Sequence, residues 1–310
     1  MTELIPVAAC LLIAFGIGSN DTSNALGISI GCGIIRLRRA LLLFGCFVLI
    51  GILLQGQKVM KTVGKDLLDV NLSIISISLS VAAFLIILSN WRKMPLSSTQ
   101  VIIGSLTGSG VASGTYINFL SIFKIILSWI ISPLVAFFTA LLLYKAMEKT
   151  ISKLSLFRIE KILRSLLLFS SILIAYNTGA NELATILGPV IHSGLIEQMR
   201  ASLIGSLFVF LGAVILSHRV IETIGKGITT LDPYSGFAAQ FGAGMCVMFF
   251  TFLGMPISTT YCIIGGISGV GMSKGMKTVK LDLIKKIMAN WILSPSLAFI
   301  ISFAIMKAIS

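Results

Sequence analysis

The sequence predicts an all-α polytopic membrane protein made of two inverted-topology repeats of about five helical elements each, with broken helices at two Asn-acid motifs. Three observations carry this reading. Apolar residues fill 56% of the 310 positions and charged residues 11%, against roughly 25% charge in soluble domains. Apolar runs of fifteen to twenty-two residues recur along the chain, more than a water-soluble core could hide. One polar order also appears twice, 161 positions apart: Gly18-Ser19-Asn20-Asp21-Thr22-Ser23-Asn24 and Gly179-Ala180-Asn181-Glu182-Leu183-Ala184-Thr185.

In chain order, the first half offers apolar elements over about 4–35, 40–56, 72–90, 96–113 and 120–146. The second offers about 162–192, 200–217, 235–254, 256–272 and 282–307. The first run lacks a basic n-region and a small-residue cleavage site, so it reads as a retained membrane segment and not a signal peptide. As one helix it would be about 48 Å long, against a hydrocarbon core of about 30 Å. It is therefore expected to break at the island Gly16–Gly27, where glycine tolerates unwinding and Asn and Asp compete for backbone groups. The sixth element should break likewise at Gly179-Ala180-Asn181-Glu182. Elements three and four, and eight and nine, are either re-entrant hairpins or full crossings. Pro133 and Pro295 should kink elements five and ten. Trp91, Trp129 and Trp291 suit an interfacial belt, and Gly104/Gly108 and Gly265/Gly269 suit close helix packing.

The duplication extends beyond the islands. Met94-Pro95-Leu96-Ser97-Ser98-Thr99 returns as Met255-Pro256-Ile257-Ser258-Thr259-Thr260 at the same offset, and Trp129-Ile130-Ile131-Ser132-Pro133 returns at Trp291-Ile292-Leu293-Ser294-Pro295. Residues 1–150 and 151–310 are therefore read as two repeats within a single integrated transmembrane domain. An odd number of elements per half inverts the second. With both termini outside, Arg36, Arg38, Arg39, Arg92, Lys93, Lys145, Lys149, Lys153, Arg158, Lys161, Arg219, Lys226, Lys274, Lys277, Lys280, Lys285 and Lys286 fall on the cytoplasmic side. Lys58, Lys61, Lys65 and Arg200 stay outside. The net charge of +13 thus marks topology and not nucleic-acid binding.

Of eleven acidic residues, only Asp21 and Glu182 lie deep in apolar segments. A carboxylate in hydrocarbon costs several kcal/mol unless compensated, so these two are candidates for cation coordination or proton carriage, with Asn20, Asn24, Asn181 and Thr185 as neutral oxygen ligands. Sodium is the metal ion considered there, at Asn20, Asp21, Asn24, Asn181 and Glu182. The Pro-x-Ser-Ser/Thr-Thr pair reads as two helix N-termini, with Pro in the first turn and free N–H groups ahead of each helix. Backbone N–H groups, helix dipoles and the hydroxyls of Ser97, Ser98, Thr99, Ser258, Thr259 and Thr260 can hold a tetrahedral oxyanion without a cationic side chain.

On these motifs the sequence resembles the inorganic phosphate transporter (PiT) family, whose signature is a duplicated Gly-x-Asn-Asp-x-x-Asn. The likeness covers nearly the whole chain. It is strictest at Gly18-Ser19-Asn20-Asp21-Thr22-Ser23-Asn24-Ala25. In the second copy Glu182 stands where the family usually has Asp, and Thr185 where it usually has Asn; Gln100 and Tyr261 stand where a His is frequent. The resemblance implies a secondary transporter for phosphate with sodium or protons, and in one branch for sulfate. It also implies that the hydroxyl motifs line the anion site and that the islands line the cation sites.

The expected function is symport of inorganic phosphate with Na+ or H+. A sulfate permease of the same fold, or an anion channel without cation coupling, is the alternative. No Walker A sequence, dinucleotide-binding pattern or catalytic triad occurs, and the five scattered cysteines and two separate histidines form no metal or disulfide pattern. An enzyme and a resident cofactor are therefore not expected, only the transported ions. The partners expected are the oxyanion, the coupling cation and the bilayer of the cell (inner) membrane, with a homodimer as an admissible assembly.

Overall fold

A computed structural model describes residues 3–92, 96–151, 156–227, 232–274 and 281–309 of the chain. In the first half lie α1 (Leu4–Gly31), α2 (Leu37–Gln55), α3 (Gln57–Lys61) with a π-helical turn after it (Thr62–Asp66), α4 (Leu72–Arg92), α5 (Ser98–Ser113) and α6 (Phe119–Ile151). In the second lie α7 (Leu156–Asn177), a π-helical turn (Thr178–Leu183), α8 (Ala184–His192), α9 (Gln198–Gly227), α10 (Pro233–Phe252), α11 (Thr259–Ser273) and α12 (Leu281–Ile309). Among the described residues, seven helices are long and apolar enough to cross a membrane, and the chain is an integral multi-pass membrane protein. At 16 and 15 residues, α5 and α11 reach only about 22–24 Å, short of a hydrocarbon core.

The offset of the sequence repeat returns in the helix starts: Leu37 and Gln198, Leu72 and Pro233, and Ser98 and Thr259 are each 161 positions apart. Starting signals recur as well. Asn71 accepts a hydrogen bond from Ile74 N at 2.9 Å, and its counterpart Asp232 accepts from Ser235 N at 3.0 Å. Each carboxamide or carboxylate satisfies an N–H group that the helix itself leaves without a partner.

The halves exchange partners. α1 packs on α9 and α2 on α7, while α5 packs on α12 and α6 on α11. Glycine permits this closeness. A Cβ on Gly18 would lie 1.9 Å from Val209 O, and one on the equivalent Gly179 would lie 1.9 Å from Val48 O. Gly212 against Phe15 O and Gly51 against Tyr176 O repeat the relation at 2.0 Å. A Cβ on Gly104 or Gly265 would likewise lie 2.4 or 2.3 Å from the carbonyl oxygen of Pro295 in α12 or Pro133 in α6. Backbones touching across small residues gain dispersion contacts that a lipid tail cannot match.

Three expectations need correction. α1 is one continuous helix through the first island and does not break there. The polar side chains that could have unwound it bond back to their own helix: Ser19 Oγ to Gly16 O at 2.7 Å, Thr22 Oγ1 to Gly18 O at 2.5 Å and Ser23 Oγ to Asn20 O at 2.5 Å. Gly18 serves contact with α9, and Gly16 faces Ile86 of α4. The second island does depart from α-helix, as a widened π turn and not as an open loop. Pro256 is not in the first turn of α11 but precedes its N-cap Ser258; Pro95 lies outside the described residues. Trp129 is no interfacial anchor, being 8% exposed with its indole N–H donating to Pro256 O at 2.8 Å.

Candidate functional site

α1 and the second island's π turn bring the two deep acids together. Asp21 is 2% and Glu182 4% exposed, and their carboxyl groups lie within hydrogen-bonding range of each other. Two bare carboxylates in that position would repel and lose their hydration, so the arrangement calls for a cation or a shared proton between them. Asn24 bridges outward from the pair. Its Nδ2 donates to Asp21 Oδ1 at 2.9 Å and to Thr260 Oγ1 at 3.0 Å, joining α1 to the first turn of α11.

The two short helices bring donors at their N-termini to Glu182. Thr259 N, at the start of α11, donates to Glu182 Oε1 at 3.3 Å; Ser98 Oγ, at the start of α5, donates to Glu182 Oε2 at 3.5 Å. Ser98 and Thr259 are repeat equivalents, so the duplication brings matching helix ends to the two oxygens of one carboxylate. Ser97 and Ser258 are the N-caps, accepting from Gln100 N at 3.4 Å and Tyr261 N at 3.5 Å. Thr99 Oγ1 donates to Ile257 O at 3.2 Å, tying α5 to the approach to α11. Of the six motif hydroxyls, those of Ser98 and Thr260 are bonded to members of the acid cluster, whereas Thr259 Oγ1 is buried with no hydrogen-bond partner.

Asn181 and Thr185 are occupied differently from Asn20 and Asn24. Asn181 Nδ2 donates to Thr251 Oγ1 at 2.8 Å and Met255 O at 2.9 Å, while its Oδ1 accepts from Ile257 N at 3.0 Å. That amide fastens the segment leading into α11. Thr185 Oγ1 donates to Asn181 O at 2.7 Å. Asn20 stands on α1 one residue before Asp21, partly exposed.

Gln240 is a supporting residue that the motif reading missed. Fully buried on α10, it donates from Nε2 to Asn24 O at 3.2 Å and Ala25 O at 2.5 Å, and accepts from Ser170 Oγ at 2.9 Å. It holds the α1 backbone beside Asn24. Its counterpart 161 positions earlier is Leu79, so a search for duplicated motifs passes over it; the available signal was an amide inside an apolar run. Tyr261 OH and Ser294 Oγ both donate to Gln100 Oε1, at 3.3 and 3.2 Å, linking α11 and α12 to α5.

The Phosphate transporter family matches residues 17–157 and again 156–302, once per half. A protein of Methanocaldococcus jannaschii named "Putative phosphate permease" is 37% identical over 297 residues, covering 96% of this chain and 94% of the relative. The "Sulfate permease CysP" of Bacillus subtilis is 30% identical over 312 residues, covering 98% and 87%. A solved structure titled "The sodium-dependent phosphate transporter" superposes with a TM-score of 0.87 at 23% identity, covering 99% of this chain and 98% of that one; at that identity the likeness speaks for the fold. With both repeats matched in order around the paired acids and helix ends, the chain belongs to the phosphate transporter family.

Proposed function

We propose that the protein is a secondary active transporter that moves inorganic phosphate together with Na+ or H+. The observation that carries the reading is the meeting of Asp21 and Glu182 between the N-termini of α5 and α11. A pair of neighbouring buried carboxylates takes a cation or proton, and convergent N–H and hydroxyl donors take an oxyanion, so one small volume offers both halves of a symport cycle. In this reading Asp21 and Glu182 hold the cation, and Asn20, Asn24 and Thr185 contribute oxygens. Asn181 acts by positioning Glu182 and the α11 approach. Ser98, Thr259 and Thr260 contact the anion, with Ser97, Thr99 and Ser258 shaping the helix ends that present them.

Sulfate is the second substrate to consider, favoured by the similarity to the Bacillus subtilis sulfate permease. The basic loops support residence in the cell membrane with both termini outside. Purified protein in liposomes, given radiolabelled phosphate or sulfate under separately imposed sodium and pH gradients, tests the reading. Accumulation of phosphate against its gradient, driven by one of the two cations, is the outcome expected. Passive equilibration alone would mean a channel, and accumulation of sulfate in place of phosphate would reassign the substrate. A single cysteine introduced at Lys61 in a cysteine-free background should react with an impermeant reagent from outside, and one at Arg38 from the cytoplasm only.

A further inference from the structure

We propose that Glu182 is a tethered occupant of the oxyanion's own donors, and that the coupling cation opens the anion site by drawing this carboxylate away. The inference rests on the phosphate-transport reading and adds an order of events to it. Its basis is that one carboxylate is engaged in two directions. On one side its oxygens accept from Thr259 N and Ser98 Oγ, at the first residues of α11 and α5. On the other side it meets Asp21. The donors are those that an oxyanion arriving between the two helix ends would use, and a carboxylate presents two oxygens where a tetrahedral anion presents four.

Two further features fit an occupant that is meant to leave. The contacts are 3.3 and 3.5 Å long, well beyond the roughly 2.7–2.9 Å of strong charge-assisted bonds, so the carboxylate is loosely held. Beside it Thr259 Oγ1, on a residue with 0% exposure, has no hydrogen-bond partner. The site therefore holds one more donor than Glu182 uses, as expected if a ligand with more oxygens belongs there. Asp21 plays no such part, because its own side-chain partners are Asn24 on the same helix and Glu182. The extra methylene of Glu over Asp, together with the π turn that carries residue 182, is what lets the second acid span from Asp21 to the helix ends.

A cation seated at Asp21 attracts Glu182 and releases Thr259 N and Ser98 Oγ to the anion; without the cation the anion competes with a built-in rival. An internal competitor lowers apparent affinity by the fraction of time the site stands free. Binding of radiolabelled phosphate and sulfate to the purified full-length protein, at fixed pH in choline or sodium buffer, reads this directly. Glu182→Gln removes the competing charge, and Glu182→Asp shortens its reach. Either variant, folded by its thermal unfolding profile, should bind anion about tenfold more tightly than the wild type in choline, if the site stands free about a tenth of the time, and should lose most of any sodium dependence. Wild-type binding with no tightening in either folded variant would overturn the competitor role and leave the transport reading intact. No binding of either anion by the wild type in either buffer would instead overturn the transport reading, and this inference with it.

Discussion

The two islands keep Gly, Asn and an acid at equivalent positions, but on different backbones. In the first, Gly18 to Asn24 stay in a regular helix, and the hydroxyls return to that helix's own carbonyls. In the second, Thr178–Leu183 form a π turn, and Asn181 spends its amide on Thr251, Met255 and Ile257. The positions equivalent to Thr251 and Ile257 in the first half are Asn90 and Leu96, and among the described residues no hydrogen bond links either of them to Asn20. A π turn holds one more residue than an α turn and rotates the helix downstream of it, which suits a segment that must both hold a neighbour and direct a carboxylate across the site. Duplicated residues thus need not keep duplicated work: one island is a stretch of plain helix that carries Asp21, and the other is a π turn whose Asn181 clamps its neighbours and whose Glu182 reaches the helix ends.

The contact that should be equal in both islands is the glycine seam, and it gives the largest expected effect. Gly18→Val and Gly179→Val each force a side chain into a carbonyl oxygen that a Cβ would already approach to 1.9 Å. Both should abolish folded protein, measured as monodisperse yield after purification. A well-folded Gly179→Val beside a lost Gly18→Val would show that the π turn can relax where the α-helix cannot.

Next comes the acid pair. Asp21→Asn should eliminate accumulation against a gradient in liposomes, whereas Glu182→Asp should leave accumulation and change its sodium or pH dependence. Wild-type accumulation by Asp21→Asn would reverse the assignment of roles between the islands. A smaller effect separates the two asparagines. Asn181→Ala removes three hydrogen bonds in the interior, worth about 0.5–1.5 kcal/mol each, so it should lower the unfolding midpoint in detergent clearly more than Asn20→Ala does. Equal losses would argue that Asn20 carries an equivalent clamp.

The smallest effect concerns the helix starts outside the apolar spans. Burial raises the pKa of the Asp232 carboxyl, but the Lys274 ammonium and the Ser235 N–H and hydroxyl outweigh it and hold the group below its ordinary value. A depressed folded-state value contributes stability above the unfolded pKa of about 3.9, and that contribution is lost as pH falls through the folded value. Asp232→Asn supplies the kind of cap that Asn71 gives the first half. It should cost at most about 1 kcal/mol near neutral pH, and the difference from wild type should shrink as pH falls through the folded value; a difference that does not shrink on acidification would mean a packing role.

Much of this was readable in advance because the repeat marks its own important places. Asp21 and Glu182 were conspicuous as charges in apolar runs, and a constant offset tied Ser98 to Thr259. Helix continuity in α1 was not readable, since Ser, Thr and Asn side chains stabilise either an unwound turn or, by bonding back three or four residues, a regular helix. The choice depended on the close approach of α9, a tertiary fact. Gln240 escaped because Leu79 occupies its place in the other half. The holding role of Asn181 depends on where the segment before α11 comes to rest, and local sequence does not carry that.

The exchange of partners between halves has a consequence for the chain while it is being made. α1 and α2 are complete long before α9 and α7 exist, and at roughly 5–20 residues per second the delay from α1 to α9 is on the order of ten to forty seconds. During that wait Gly18 and Gly51 face lipid or a stand-in helix, and Asp21 lacks Glu182, with only Asn24 on its own helix to share its charge. The first half is therefore a client during biogenesis, dependent on the insertion machinery or on water at the membrane surface until its inverted twin arrives. A ribosome stalled after α6 would leave in the bilayer a half-protein with a buried acid and unmatched backbone seams, which marks it for disposal.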